Sequence, residues 1–353
     1  MGDHVTRFAI VVASPVRPGE PEEIRAGQRP RRDYLELGRA LGATLIHEDQ
    51  PGGRVVRIVW RLLGRRAAHA VIAFQRRSQY DVVHTLSEDV GLPLAFLFKV
   101  LRVRRGHVMV GHRLSPFKKR IFFRLLHVET HIDRVVVYSS PQLRYAVERL
   151  KLPPEKLELV LHPADHRFWA PDGMEAADTI CSAGMEQRDY ETLVEAVRGL
   201  PVRLVIAAAS PWAKKRRGRP LELPDNVTQT RLTPAELREL YRTSRLVAVP
   251  VRDVDFQAGS LVMYEAMACG RPVIATRSRG QEDILKPGET GLYVAPGDAD
   301  GMRAAINTLL SDPDRAEGMG QRAREVVAEG LNLEHYVRRV SEILAAAGEA
   351  DRR

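Results

Sequence analysis

Residues 251–298 constrain this chain most, because a small-residue loop, an apolar helix and a short apolar strand follow one another there. Gly259 and Ser260 form the loop, and apolar residues at helical spacing predict a helix over 261–269. After a turn, 273–276 reads as a buried strand. This order is the repeating half of a doubly wound α/β domain. The start of the helix should therefore lie at the carboxyl edge of a sheet, where free backbone N–H groups favour a phosphate or diphosphate.

The same alternation of strands and helices continues along the chain. Apolar runs predict strands over 8–13, 44–47, 80–84, 106–112, 134–139, 179–184, 204–209 and 245–251, with helical patterns between them, among them one basic helix over 55–66. Strands separated by helices indicate parallel sheets, so the fold class is α/β. A chain of 353 residues is long enough for two hydrophobic cores. We predict an N-terminal domain over 1–170, a second domain over 171–335, and a C-terminal helix over 336–353 that returns to the first.

The run 251–298 resembles the donor-binding signature of the retaining glycosyltransferases of family 4. That signature is roughly E-G-F-G-L-x-x-x-E-A-M-A-C-G-x-P-V-I-A-x, then G-G-x-x-E, then D-G-x-T-G-x-L-V-x-P-G-D, and the chain follows it in register. The resemblance implies the GT-B architecture, in which two Rossmann-like domains face a cleft. It implies a nucleotide-diphosphate sugar as co-substrate, with no metal and no other cofactor.

The resemblance also assigns donor-binding residues. Glu265 matches the glutamate that holds the donor ribose, and Gln257 replaces the glutamate that touches the transferred sugar. Arg188 lies near the place of the family's diphosphate-binding cations, and a guanidinium grips phosphate oxygens in bidentate fashion. A solvated surface arginine is the alternative interpretation. The full predicted donor set is Gly184, Arg188, Gln257, Gly259, Ser260, Leu261, Glu265 and Asp283.

Two predicted strands, 80–84 and 106–112, each end in a histidine, His84 and His112. In the family a histidine after a corresponding strand lines the sugar pocket, so the resemblance predicts His112 as the catalytic residue. The alternative for both is a histidine that is hydrogen-bonded to a loop carbonyl.

The positive charge of the chain lies in its first half. Residues 1–170 carry 29 Lys and Arg against 17 Asp and Glu, a net charge of +12. Residues 171–353 carry a net charge of −3, so the whole chain has +9. An anionic partner is therefore expected, either a membrane surface, a lipid-linked phosphate acceptor or a nucleic acid. The segment 115–127 is basic on one side and apolar on the other, which fits a membrane-binding helix or a surface helix packed on its own sheet. The basic loop 214–219 fits a solvated loop better than a targeting patch, and no basic motif with interleaved aromatic residues supports nucleic-acid binding.

The cysteines and the apolar runs predict the cellular compartment of the protein. Cys181 and Cys269 both lie in apolar runs, which predicts buried thiols and a reducing environment. The longest uncharged apolar run, 90–98, is too short to cross a bilayer, and the first strand carries no cleavage pattern of a signal peptide. We expect a cytoplasmic protein, with peripheral association at the inner face of the membrane as an open alternative.

The function predicted from the sequence is hexosyl transfer, with retention and without a metal, from a nucleotide-diphosphate sugar to an unknown acceptor. The alternative is a GT-B protein that binds a ligand or partner without turnover, since Gln257, Met185 and Asp189 replace charged residues of the family.

Overall fold

The computed structural model describes residues 5–12, 17, 19–47, 53–208 and 223–350. Contacts divide the chain into two compact units. The first comprises Met1–Glu20, Arg32–Leu161 and Glu334–Arg353, and the second comprises Pro21–Arg31 and His162–Leu333.

Parallel strands form the sheet of the first unit. Within the described residues they are β1 (Phe8–Val12), β2 (Thr44–His47), β3 (Val82–Thr85), β4 (Gly106–Gly111), β5 (Arg134–Val137) and β6 (Leu157–Leu159). Their order is β2-β1-β3-β4-β5-β6, and neighbouring strands are parallel throughout. Val108 and Val110 pack into the core on one face of the sheet, and Met109 packs into the core on the other. Both faces are covered, which explains why these strands read as continuous apolar runs.

The second unit repeats this plan. Its strands in the described ranges are β7 (Ala177–Ala183), β8 (Arg203–Ala207), β9 (Val227–Thr230), β10 (Ser244–Val249), β11 (Val273–Thr276) and β12 (Gly291–Val294). They lie in the order β12-β11-β10-β7-β8-β9, again with parallel neighbours. The chain builds β7, β8 and β9 outward in one direction and then returns to place β10 on the other side of β7. The order of a dinucleotide-binding sheet is the same, with its switch point between β7 and β10.

Helices cover the faces of both sheets. In chain order they are α1 (Glu20–Arg25), α2 (Asp33–Leu41), α3 (Arg54–Leu63), α4 (Arg65–Gln75), α5 (Glu88–Val100), α6 (Phe117–Arg124), α7 (Ser140–Glu148), α8 (Tyr190–Val197), α9 (Pro234–Thr243), α10 (Ser260–Ala268), α11 (Ala299–Ser311), α12 (Pro313–Glu329) and α13 (Leu333–Ala350). Helix α13 packs on the first sheet through Tyr336, Val340, Ile343 and Leu344.

The predicted α/β class with two Rossmann-like units is confirmed, and two local predictions are corrected. The basic helix predicted over 55–66 ends at Leu63, because Gly64 has φ +87° and turns the chain into α4. Strands β6, β9 and β12 were not predicted. All three are edge strands of three or four residues and only partly buried. Polar residues interrupt β6 and β9, and the apolar run of β12 is only three residues long, 292–294.

The division into units differs from the predicted domain boundaries, and one partly buried ion pair accounts for part of the difference. The Arg31 guanidinium donates to Asp165 Oδ1 at 2.6 Å, and the Arg31 backbone N–H donates to Oδ2 at 2.8 Å. This pair attaches residues 21–31 to the second unit, although they are far from it in sequence. Asp165 itself belongs to the second unit, which begins at His162, ahead of the boundary predicted at 170.

Candidate functional site

The switch point of the second sheet lies between β7 and β10, and the loops after these two strands form the candidate site. Open α/β sheets bind ligands at this place, outside the carboxyl ends of the strands. The loop after β10 begins with Pro250, and the N–H of its second residue, Val251, donates to Thr276 Oγ1 at the end of β11 (3.1 Å). It ends at Gly259, the residue before α10, with φ +88°. The helix predicted over 261–269 is thus found one residue earlier, at Ser260–Ala268.

Arg188 joins the two loops. Its Nε donates to Ala183 O at 2.8 Å and its Nη1 donates to Glu186 O at 3.0 Å. Glycines on both sides leave room for the guanidinium in its observed position. A Cβ on Gly184 would lie 2.4 Å from Nη2, and one on Gly259 would lie 3.0 Å from Nη1. Both glycines also have positive φ, so the two predicted residues shape the space that the arginine occupies.

The guanidinium of Arg188 is a buried cation without a carboxylate partner in the part of the chain that the structure describes. The residue is 8% exposed, and its hydrogen bonds join it to the backbone carbonyls of Ala183 and Glu186 and to the Tyr190 side chain. Burial lowers the pKa of Arg188 from its ordinary value. A buried charge is normally paired, so this arrangement favours an anionic ligand beside the guanidinium. The alternative interpretation, a solvated surface arginine, is wrong.

Gln257 supplies an unpartnered amide to the same loop. Its Oε1 and Nε2 are both buried, and neither has a hydrogen-bond partner within the described residues. A buried amide without partners is costly unless a ligand completes its hydrogen bonds. Ser260 Oγ donates to Gln257 O at 3.4 Å, and Leu261 is 47% exposed in the first turn of α10.

Glu265 lies further along α10 and is held by a buried tyrosine. The Tyr241 hydroxyl donates to Glu265 Oε2 at 3.1 Å. Burial, and after it the charge of Glu265, raises the pKa of Tyr241 well above its ordinary value, so the phenol stays protonated and donates. This contact orients the carboxylate and takes up one of its lone pairs.

Asp283 is half-buried beside α10. Burial raises the pKa of Tyr264, and the charge of Asp283 raises it further, which indicates that the carboxylate is close to this helix.

Gln281 is a residue that the sequence did not identify. It is 1% exposed, and its side-chain amide donates to Ala258 O, between Gln257 and Gly259. The amide therefore holds the loop after β10 in place. A glutamine in a loop has no periodic sequence pattern that indicates a role. Only its position inside the motif 251–298 could have pointed to Gln281.

The two histidines of the first unit have different surroundings. His112 is exposed after β4; its ring Nε2 lies 3.0 Å from Leu86 O, and its N–H donates to Glu88 Oε2 at 3.0 Å. His84 is fully buried, with Nδ1 3.1 Å from Val108 O. Burial lowers the pKa of His84 to about 4, so it is a neutral core histidine at pH 7. The catalytic role of His112 stays a prediction.

The segment 115–127 contains α6, and the apolar residues in its middle pack inward. Phe123 is 2% exposed in the core, whereas Phe117 and Leu125 at the two ends are exposed. The Lys119 ammonium contacts the carboxylates of Glu88 and Asp89. These contacts favour the surface helix packed on its own sheet.

Several other predicted features can be compared with the structure only where it describes the chain. The basic loop 214–219 lies outside the described residues. Among the helices that the structure does describe, none combines the length and apolar character needed to cross a membrane. No group of three or more His, Cys, Asp or Glu in these ranges could hold a metal ion. Cys181 and Cys269 are buried free thiols, as predicted.

Comparison with known proteins agrees with this geometry. The family model of the glycosyl transferases, group 1, matches residues 181–326, which include the whole predicted donor set. A D-inositol 3-phosphate glycosyltransferase of Corynebacterium urealyticum is 31% identical over 303 residues, which are 73% of this chain and 70% of that protein. The chain belongs to the group 1 glycosyl transferases.

Other proteins are similar at lower identity. The D-inositol 3-phosphate glycosyltransferase of Gordonia bronchialis is 27% identical over 308 residues, which are 75% of this chain and 66% of that protein. The chain thus spans about two thirds of the length of this relative. Among solved structures, the sucrose-phosphate synthase of Thermosynechococcus elongatus superposes with a TM-score of 0.74 at 20% identity and covers 98% of this chain and 100% of that one. The fold is of the GT-B type.

Proposed function

We propose that this protein transfers a sugar from a nucleotide-diphosphate sugar to an acceptor, and that the second unit binds the donor. One observation carries the proposal: Arg188 is a buried guanidinium without a carboxylate partner in the described residues, held between two loops at a switch point. A diphosphate is the anion that this position suits, because the N-terminus of α10 starts beside the same space.

The remaining donor residues take roles that follow from their position. Backbone N–H groups at Gly259, Ser260 and Leu261 would bind phosphate oxygens at the start of α10. The unpartnered amide of Gln257 would bind hydroxyls of the transferred sugar. Glu265 would accept hydrogen bonds from the ribose.

Two further members of the predicted set contribute through position. Gly184 would leave room for the guanidinium and for the donor close to β7. Asp283 would lie beside α10 and close to the donor, without contacting the diphosphate.

The proposed chemistry is departure of the nucleoside diphosphate from the sugar carbon while an acceptor hydroxyl bonds to that carbon and passes its proton to an oxygen of the leaving diphosphate. Negative charge grows on the leaving diphosphate, and a fixed cation together with a helix N-terminus stabilises it there. We propose that Arg188 and α10 supply this stabilisation, without a metal ligand from the protein. Retention of configuration is proposed on the resemblance of residues 251–298 to family 4, and His112 would act near the reacting carbon.

The acceptor is proposed to be anionic. Residues 1–170 carry the net +12 of the chain, which would attract a phosphorylated acceptor. The group 1 relatives named above are D-inositol 3-phosphate glycosyltransferases, so an inositol phosphate is one candidate and a lipid-linked phosphate is another.

Ligand-observed NMR with UDP-, GDP-, ADP- and TDP-sugars tests the donor half of the proposal. We expect one preferred donor, with slow hydrolysis to free sugar. Absence of binding to every donor would refute the proposal and favour the non-catalytic alternative.

A Glu265→Gln variant tests the geometry. Glutamine keeps an acceptor for Tyr241 but loses the charge, so the preferred donor should bind about tenfold more weakly. The 2′-deoxy form of the donor should bind wild type more weakly than the parent donor, and should lose most of that difference in the variant. Glu289→Gln, at an exposed position of the same unit, is the matched control and should change nothing. An unchanged affinity in Glu265→Gln would remove Glu265 from the site.

A further inference from the structure

Helix α3 exposes most of its apolar side chains. Val55, Ile58, Trp60, Leu62 and Leu63 are all more than half exposed, with Leu62 at 76% and Leu63 at 73%. Val56 is the buried residue of the helix, and Val59 packs partly against the same core. Single exposed apolar residues are ordinary, but five on a ten-residue helix form a patch of the kind that marks an interaction surface.

The same helix carries an uncompensated positive charge. Between Gln50 and Tyr80 the sequence has seven arginines and no aspartate or glutamate. Arg54, Arg57 and Arg61 are exposed, and none forms an ion pair in the part of the chain that the structure describes. They are three and four residues apart, so they form one row on the side of α3 away from Val56 and Val59.

Ile58 and Leu62 lie directly beside this row, and Trp60 borders it on the other side. Arg57, Trp60 and Arg61 together line a shallow surface hollow of about 240 Å³. A row of guanidinium groups flanked by exposed aliphatic and indole side chains is the arrangement of a helix that lies in a lipid interface.

We propose that α3 docks this protein on a membrane of anionic lipid. The arginines would bind lipid phosphates, and Ile58 and Leu62 would enter the acyl boundary beside them. This inference goes beyond the proposed function and does not rest on it, since vesicle binding is measured without any donor.

Two other occupants fit the surface less well. A second copy of the chain would bring the same patch against itself across a twofold axis, and the arginine rows of the two helices would repel each other. A nucleic acid would match the arginines but leave Val55, Ile58 and Leu62 without an apolar partner. Helix α6 is the weaker membrane candidate, because Phe123 is in the core and Lys119 already contacts two carboxylates.

The first test removes charge from each helix in turn. Vesicles of phosphatidylcholine with and without phosphatidylglycerol are sedimented with the full chain. Each basic residue near an anionic surface contributes about fivefold in affinity, so Arg57→Gln with Arg61→Gln should lower binding about 25-fold. The matched control is Lys118→Gln with Arg120→Gln on α6, both exposed, and it should change binding less than threefold. Equal losses in the two variants would overturn the assignment to α3, and so would equal binding to vesicles without phosphatidylglycerol.

The second test locates the lipid contact. Because Cys181 and Cys269 are buried, Leu62→Cys introduces one accessible thiol for an environment-sensitive dye. Anionic vesicles should shift its emission to the blue, while the dye at Lys118→Cys should not respond. A response at 118 and not at 62 would refute the proposal.

The third test keeps the charge and removes the apolar contact. Ile58→Ser with Leu62→Ser should weaken vesicle binding at least tenfold, with an unchanged circular dichroism spectrum. If these serines instead dissociate a dimer seen in sedimentation velocity and leave vesicle binding intact, a second copy covers α3. Tighter binding to RNA than to vesicles, unaffected by the serines, would also overturn the proposal.

Discussion

The Arg188→Met variant removes a guanidinium and keeps an unbranched stem that reaches about as far as Nε. In the free protein this change has two opposite effects. The carbonyls of Ala183 and Glu186 lose charge-assisted hydrogen bonds of 2.8 and 3.0 Å, a loss of about 1.5–3 kcal/mol each. The protein also no longer holds an unpaired cation away from water, and that desolvation costs several kcal/mol. Because the two effects are similar in size, we expect the free energy of unfolding to change by less than about 2 kcal/mol.

The effect on donor binding should be much larger. A bidentate contact to the diphosphate provides two charge-assisted hydrogen bonds that methionine cannot replace. Their loss is at least about 3 kcal/mol, which corresponds to about a hundredfold in Kd. Arg188→Met is thus expected to be a folded protein that no longer binds its donor.

Titration calorimetry with the preferred nucleoside diphosphate, together with thermal unfolding, measures both quantities. The matched control is Arg324→Met in the same unit. Arg324 Nη1 donates to His166 O and Ala268 O at 2.9 Å, so this arginine connects two segments of the unit. Its loss should destabilise the protein by about 1–3 kcal/mol and leave the affinity within twofold. The reasoning fails if Arg188→Met binds the diphosphate within threefold of wild type, or if it loses more than about 4 kcal/mol of stability.

Two further predictions concern pH. Burial would raise the pKa of Asp165, but hydrogen bonds from Arg31 outweigh it and lower the pKa below its ordinary value, so the stabilisation is present above about pH 4 and is lost as the pH falls below it. Asp165→Asn should destabilise the protein by about 2 kcal/mol at pH 7 in denaturant unfolding, with a difference that shrinks toward pH 3; a constant difference would contradict this. Burial lowers the pKa of His84 to about 4, so stability present above pH 6.5 should be lost as the pH falls from 6.5 to 4. Wild type should lose about 3 kcal/mol more than His84→Asn over this interval, and parallel pH profiles of the two proteins would count against it.

Buried strands were the most predictable part of the fold. A parallel strand covered on both faces must be apolar along its whole length, and Val108–Met109–Val110 in β4 is such a run. The break at Gly64 was not predicted, because apolar spacing continues through it and a single glycine does not reveal its φ. Helix and strand boundaries elsewhere shifted by one to three residues.

Site residues that belong to a sequence motif could be predicted, whereas features that depend on tertiary contacts could not. Glycines and the start of α10 follow from a motif, so Gly259 and Ser260 were found from sequence. The burial of Arg188 was not predictable, since it arises from two glycines in separate loops, Gly184 and Gly259, that only the fold brings together. Gln281 was missed because its contact with Ala258 is a tertiary one, and such contacts leave no periodic pattern.

The unpartnered groups of the site share one explanation. Arg188 has no carboxylate partner in the described residues, and Gln257 has two buried amide atoms without partners. When no ligand is bound, the unpaired guanidinium and amide both reduce the stability of the free protein. A fold selected for stability alone would therefore have apolar residues at these two positions. An anion by itself would pair only with the charge of Arg188, and a neutral sugar by itself would hydrogen-bond only with the amide of Gln257. A nucleotide-diphosphate sugar carries both kinds of partner on one molecule, and groups already fixed by the loops need no reorganisation when it binds.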